Sequence, residues 1–206
     1  MRSYQNLIVP GIVILLTAAA LSCRNRSNPS VQNIRTDVTS MNSENNKATD
    51  NPYLDLRSQA LSTTPEQLQV KIPSAQTKVI GMIVDWNLGG GSATFVSFST
   101  GDASMYTSSG GGIIGGKAHE NVRKASLRLV EKSQLFVGKA VRTDDTSFAK
   151  PNGVKFFFLT NHGRFVAEES MNNFDNGSSQ WLALFSETNN LISELRSISA
   201  DFENEQ

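Results

Sequence analysis

One run of residues carries the densest chemical signal in the chain: Ser108-Ser109-Gly110-Gly111-Gly112-Ile113-Ile114-Gly115-Gly116-Lys117. Gly110, Gly112 and Gly115 satisfy G-x-G-x-x-G, and Gly111, Gly116 and Lys117 satisfy G-x-x-x-x-G-K. Both motifs set backbone N–H groups and a helix N-terminus against a phosphate. The run follows a predicted strand and precedes a predicted helix, as those motifs require. Ala118, however, stands where a P-loop needs a hydroxyl for magnesium. The preceding strand belongs to an antiparallel meander and not to a βαβ unit, and no acidic residue occupies the ribose-binding position. No nucleotide or other cofactor is therefore expected. Two readings remain. The glycines permit positive φ and a close crossing of backbone over a sheet. Alternatively, their N–H groups, with Lys117, His119 and Arg123, receive a carboxylate or other anion from a ligand or partner.

Other reactive residues are sparse. There are two histidines, His119 and His162, and one cysteine, Cys23. His119 opens a helix beside Glu120, and His162 falls in a hairpin turn. A zinc site needs three or four converging ligands, and no H-x-x-x-H or H-E-x-x-H spacing occurs, so no metal is expected. Ser104, His119 and Asp85 can be composed into a Ser-His-Asp set, but no G-x-S-x-G elbow accompanies them. The acidic pairs Asp144-Asp145 and Glu168-Glu169 read as solvated surface. Asp85 is more informative. It ends an apolar strand just before Trp86, which implies a partly buried, paired carboxylate, held by a structural hydrogen bond or serving in binding. A pocket holding Asp85, Tyr106 and His119 together would favour a ligand site or an enzyme. Phe156-Phe157-Phe158 puts aromatics on both faces of one strand, which reads either as a central strand covered on both sides or as an exposed docking face.

The elements that must position these residues can be read from apolar periodicity. Leu54 to Leu61 suggests a short helix. Thr64-Pro65-Glu66-Gln67 has the form of a helix start. Val79 to Trp86, Ala93 to Ser99 and Ala103 to Thr107 read as strands joined by glycine turns. A helix follows from about His119 to Phe136, with Val122, Ala125, Leu129 and Val130 on one side. Val154 to Thr160 and Arg164 to Glu168 form a hairpin through Asn161-His162-Gly163. A last helix carries Trp181, Leu184, Phe185, Thr188, Leu191, Ile192 and Leu195 on one face, and Ser178 or Ser179 caps it. This order predicts an α+β two-layer domain: one antiparallel five-stranded sheet with its helices packed on one face. In element order it is similar to roadblock or profilin-like sheets, an analogy that carries no function. The segments around Asp85-Trp86, Ala103 to Tyr106, the Gly110–Gly116 loop with His119 to Arg123, and Val154 to Gly163 resemble a family of small uncharacterised bacterial proteins. That resemblance spans roughly Val79 to Arg196 and implies no activity.

The N-terminus reads as an address. Arg2 precedes an apolar run from Leu7 to Ala20. At about 14 residues this run is too short to span a bilayer comfortably and has the form of a secretory signal. It ends Ala19-Ala20-Leu21-Ser22-Cys23. This resembles the bacterial lipoprotein signal, which implies a signal peptide over residues 1–22 and acylation of Cys23 as the mature N-terminus. Several acyl chains anchor stably, since each buried methylene contributes roughly 0.8 kcal/mol. Arg24, Asn25 and Arg26 follow, with no aspartate beside the cysteine, so the resemblance implies an outer-membrane lipoprotein facing the periplasm. Residues 23–50, rich in Asn, Ser and Thr, read as a lipid-anchored flexible tether reaching on the order of 30 Å. Residues 51–206 then form a single domain.

The chain has 19 basic and 19 acidic residues. That balance gives no electrostatic case for nucleic acid. Three functional readings follow. The first is a membrane-anchored, non-catalytic module that binds a protein or peptide, such as an immunity or inhibitor lipoprotein or an envelope factor. The second is a small-ligand or anion sensor or carrier using the glycine loop. The third is a hydrolase.

Overall fold

Five runs rich in β-branched and aromatic residues organise the chain around one sheet, three of them buried almost throughout. The structure, a computed structural model, describes residues 51–204. The expected signal peptide, Cys23 and the tether lie outside the described residues. Helix α1 spans Pro52–Leu61, and Asn51 caps it by accepting from the Tyr53 and Leu54 amides. Strands β1 (Val79–Asn87), β2 (Ser92–Phe98), β3 (Ala103–Thr107) and β4 (Gly112–Ile113) form a meander. Helix α2 (Glu120–Ser133) then carries the chain across the sheet to β5 (Val141–Arg142), β6 (Gly153–Thr160) and β7 (Gly163–Ser170). Two helices close the chain, α3 (Met171–Asp175) and α4 (Leu182–Asn204).

The protein is α+β with one fully antiparallel sheet of order β4-β3-β2-β1-β6-β7-β5. The sheet has seven strands and not the five expected. The additional strands, β4 and β5, are two-residue edges held through their backbone. An alternation of period two cannot show in so short a run. Thr64 and Gln67 do make their reciprocal capping bonds, at 2.8 and 3.4 Å, but no helix follows. Gln69 takes φ 56°, Gln69 N bonds Glu66 O and Val70 N bonds Pro65 O. This is a Schellman-type stop placed one turn after the start.

The two faces of the sheet are covered differently. On one face Met82, Val84, Phe95, Phe156 and Phe158 meet Val122, Ala125 and Leu129 of α2 and Leu184, Leu191 and Leu195 of α4. Phe174 of α3 and Trp181 add aromatic area there, with Phe174 stacked on Phe185 at 4.2 Å between centroids. Ser179 caps the last helix by accepting from the Trp181 amide at 3.1 Å. On the other face Ile80, Ile83, Val96, Phe157 and Leu159 meet Tyr53, Ala60 and Leu61 of α1. The helices therefore do not all share one face: α2, α3 and α4 cover the first and α1 the second. Phe156, Phe157 and Phe158 are all fully buried, so β6 is a central strand covered on both sides.

Among the described residues, Ser97 Oγ and Ser99 Oγ are buried without a hydrogen-bond partner. By strand alternation Ser97 faces α2 and α4. An unsatisfied buried hydroxyl costs roughly 1–3 kcal/mol. Ser97→Ala is therefore expected to raise stability by about 1 kcal/mol in denaturant unfolding. A loss of stability would show that the hydroxyl is satisfied by a bound water.

Candidate functional site

Sheet register assembles a polar row across the face that α1 covers. Tyr106 opposes Thr94, Thr94 opposes Asp85, Asp85 opposes Lys155, and Lys155 opposes Glu168. Asp85 is 1% exposed. Arg57, in the middle of the buried side of α1, donates from Nε to Asp85 Oδ2 at 2.9 Å and also from Nη2. Thr94 Oγ1 donates to Asp85 Oδ1 at 2.6 Å. Its proton thus committed, Thr94 accepts from the Tyr53 phenol at 3.0 Å. Burial pushes the Tyr53 phenol up from its ordinary pKa.

Residues 143–150 strap over this row. Arg57 Nη2 donates to Thr146 O at 2.7 Å, and its guanidinium lies 4.0 Å above the Phe148 ring. Lys155 Nζ donates to Ser147 O at 3.0 Å and to Ser147 Oγ at 2.9 Å. Asn87 Nδ2 donates to Ala149 O at 3.1 Å, and Glu168 Oε1 accepts from the Lys150 amide at 2.7 Å. Asp85 is thus the anchor of a buried network, and it lines neither groove described below. Arg57, Thr94 and Lys155 escape sequence reasoning. A lysine inside the apolar run of β6 was the available signal for one of them.

The glycine-rich run divides into two parts. Gly110, Gly111, Gly112, Tyr106 and Ile114 line a cavity of about 400 Å³ against Asn51, Pro52, Tyr53 and Leu56 at the start of α1. Gly110 and Gly111 have φ of 93° and 85°. Gly112 has a different reason to be glycine, since a Cβ there would lie 2.3 Å from Met105 O. Tyr106 is buried, which pushes its phenol up, with a Ser104 hydrogen bond opposing. The other part, Gly115 and Gly116 with Lys117, turns away into the start of α2. A Cβ at Gly116 would lie 2.6 Å from Val122 Cγ1, so close packing against α2 requires that glycine.

The three basic candidates do not line that cavity. Lys117 Nζ lies 3.5 Å from Asp102 Oδ2. Arg123 forks onto Glu120, Nε to Oε2 at 2.7 Å and Nη2 to Oε1 at 2.9 Å. His119 occupies the N-cap position of α2 without a capping bond from its side chain. His162 serves a hairpin clamp: Nδ1 lies 3.2 Å from Thr77 Oγ1 and Nε2 lies 3.0 Å from Ser74 O. Among the described residues no group of His, Cys, Asp and Glu could hold a metal ion. None of their helices is long and apolar enough to cross a membrane. Comparison with protein-family models, with curated proteins and with solved structures finds no match to the chain.

Two outcomes test this geometry. Removing one partner of a buried ion pair leaves an uncompensated charge and costs about 3–5 kcal/mol. Asp85→Ala should lose about that much in urea unfolding, whereas the double variant Arg57→Leu with Asp85→Leu should recover most of the loss. Equal losses in both would remove the pair from its anchoring role. The second concerns the start of α2. Hydrogen bonding to Arg123 holds the Glu120 carboxyl at about 2, below its ordinary 4.5. The depressed value means that the favourable contribution is present above pH 4.5 and is lost as pH falls through 2. A carboxyl-detected NMR titration should find that midpoint, and Arg123→Ala should return it toward 4.5.

Proposed function

We propose that this chain is a lipoprotein of the bacterial cell envelope, anchored through acylated Cys23 and facing the periplasm from the outer membrane. Its domain is a non-catalytic module that binds a protein or peptide in the cavity between α1 and the glycine loop. The observation that carries this reading is the chemistry of the cavity wall. Tyr53, Leu56, Tyr106 and Ile114 supply aromatic and aliphatic surface. Hydroxyls of Thr107, Ser108 and Ser109 supply hydrogen-bonding groups. The wall contains hydroxyls but no carboxylate, imidazole or amine to act as the general base that would activate one of them as a nucleophile. Apolar surface with a few placed polar groups is the usual make-up of a binding pocket. An aromatic or aliphatic side chain from a partner suits this volume. The anion-sensor alternative draws less support, since Lys117 and Arg123 already face Asp102 and Glu120.

The test combines location and capture. Cys23→Ser should move the protein from the membrane fraction to the soluble fraction. The detergent-solubilised full chain, used as bait in envelope extract, should retain one stoichiometric protein. Ile114 is 66% exposed, so Ile114→Asp changes the cavity without opening the core. It should lower capture at least tenfold, whereas Lys117→Ala with Arg123→Ala should leave it unchanged. Capture indifferent to Ile114→Asp but abolished by the basic pair would replace this reading with the anion site.

A further inference from the structure

The opposite end of α1 borders a second groove, which holds an arginine with no ion pair among the described residues. This groove, about 1010 Å³, lies between the chain that leaves α1 and the β6–β7 hairpin. Leu61, Ile72 and Leu159 give it an apolar wall. Arg164 stands on β7 directly opposite Leu159 and is half-buried. Its Nη1 donates to Leu61 O at 3.1 Å and its Nη2 to Asp144 O at 3.2 Å. These two bonds hold the guanidinium plane in place, yet both acceptors are neutral carbonyls. Lys71 lies on the same rim. Among the described residues no carboxylate forms an ion pair with Arg164 or Lys71. The acids at the rim are Glu66 and Asp144. Glu66 is engaged in its own turn, where its backbone amide and the Thr64 hydroxyl hold its carboxyl below the usual range.

We propose that this groove binds a peptide segment presenting a carboxylate, with Arg164 as the anchor. A guanidinium has five N–H donors in a planar fork, and two of them are in use here. The free edge matches a carboxylate, which it can engage in a charge-assisted pair. Lys71 adds attraction at the rim, and the Leu61, Ile72 and Leu159 wall takes an apolar side chain next to the carboxylate. A carboxylate on an extended peptide satisfies both halves of the groove, while a bare anion satisfies only one. The site shares no lining residue with the glycine-loop cavity, so it stands or falls separately from the function proposed above.

The test uses the full chain in detergent and follows backbone amides of the groove and the Arg164 Nε–H by NMR. The probes are acetyl-Leu-Glu-Leu-amide against acetyl-Leu-Gln-Leu-amide, acetyl-Leu-Leu-Leu as free acid against its amide, and sodium acetate. At least one carboxylate peptide should bind tenfold or more tightly than its neutral counterpart. Which pair shows the difference tells an acidic side chain from a chain terminus. Arg164→Lys should abolish the preference, because an ammonium cannot reproduce the planar fork. Lys71→Ala alters an exposed residue and should weaken binding about threefold even if Arg164→Lys disturbs the fold. Ile114→Asp should leave this binding intact. Equal affinity of acid and neutral peptides, an absence of shifts at the groove, or acetate binding as tightly as the peptides would each overturn the proposal. So would binding indifferent to Lys71→Ala.

Discussion

A carboxylate buried in the central strand is the constraint around which one whole face of this protein is arranged. Asp85 sits where β1 is flanked by β2 and β6, and water cannot reach it. An isolated charge in such a place is costly enough that it must be paired and hydrogen-bonded. The countercharge comes from Arg57, 28 residues earlier in the chain. Arg57 shares one side of α1 with Tyr53, Ala60 and Leu61, so pairing it with Asp85 also sets which side of the helix meets the sheet. The same guanidinium holds Thr146 O, and Lys155 in the next strand holds Ser147. One buried acid thereby orients a helix and pins a loop.

The two faces of the sheet divide the work. The face under α2 and α4 is apolar and closely packed, and it supplies most of the buried area that opposes chain entropy. The face under α1 trades some of that area for a polar row. A ten-residue helix cannot cover a sheet of this width, and α1 leaves a groove at each of its ends. The grooves are therefore a consequence of the short cover and of the buried pair that locates it. The main core and the two grooves fall on opposite sides of the same strands, so a change in either groove need not disturb that core.

What the sequence makes legible here is what depends on local periodicity. β1, β2, β3, β6, β7, α2 and α4 follow from apolar spacing and turn chemistry, and the paired state of Asp85 follows from an acid inside an apolar run. What it hides depends on partners distant in the chain. The burial of Arg57 is one such feature, because nothing local reveals the carboxylate that draws it inward. α1 is placed on the second face by that same long-range pair. β4 and β5 exist only through the backbone of β3 and β7. The Thr64 start signal is real, but the left-handed Gln69 ends it, a choice no capping rule anticipates. Lys117, His119 and Arg123 look like a convergent anion trio on a helical start. In space, two of them meet acids: Asp102 from a turn, and Glu120, which the sequence places in plain sight.

That last pairing explains why a run of glycines so similar to phosphate-binding motifs need not bind phosphate. A phosphate cradle leaves several N–H groups pointing at one empty concavity in front of a helix. Here Gly110 N bonds Thr107 O, and Thr107 Oγ1 donates back to Gly110 O, so this part of the loop closes on itself as a turn. Gly112 enters the ladder with β3. The first turn of α2 carries its own anion, Glu120, where the helix dipole would otherwise favour one from outside. Arg123 reinforces that choice by reaching back to the same carboxylate. The glycines are required by geometry, since Met105 O and Val122 leave no room for a Cβ at Gly112 and Gly116. Their spacing resembles a nucleotide motif because both tasks bring backbone close to something, and here that something is the protein itself.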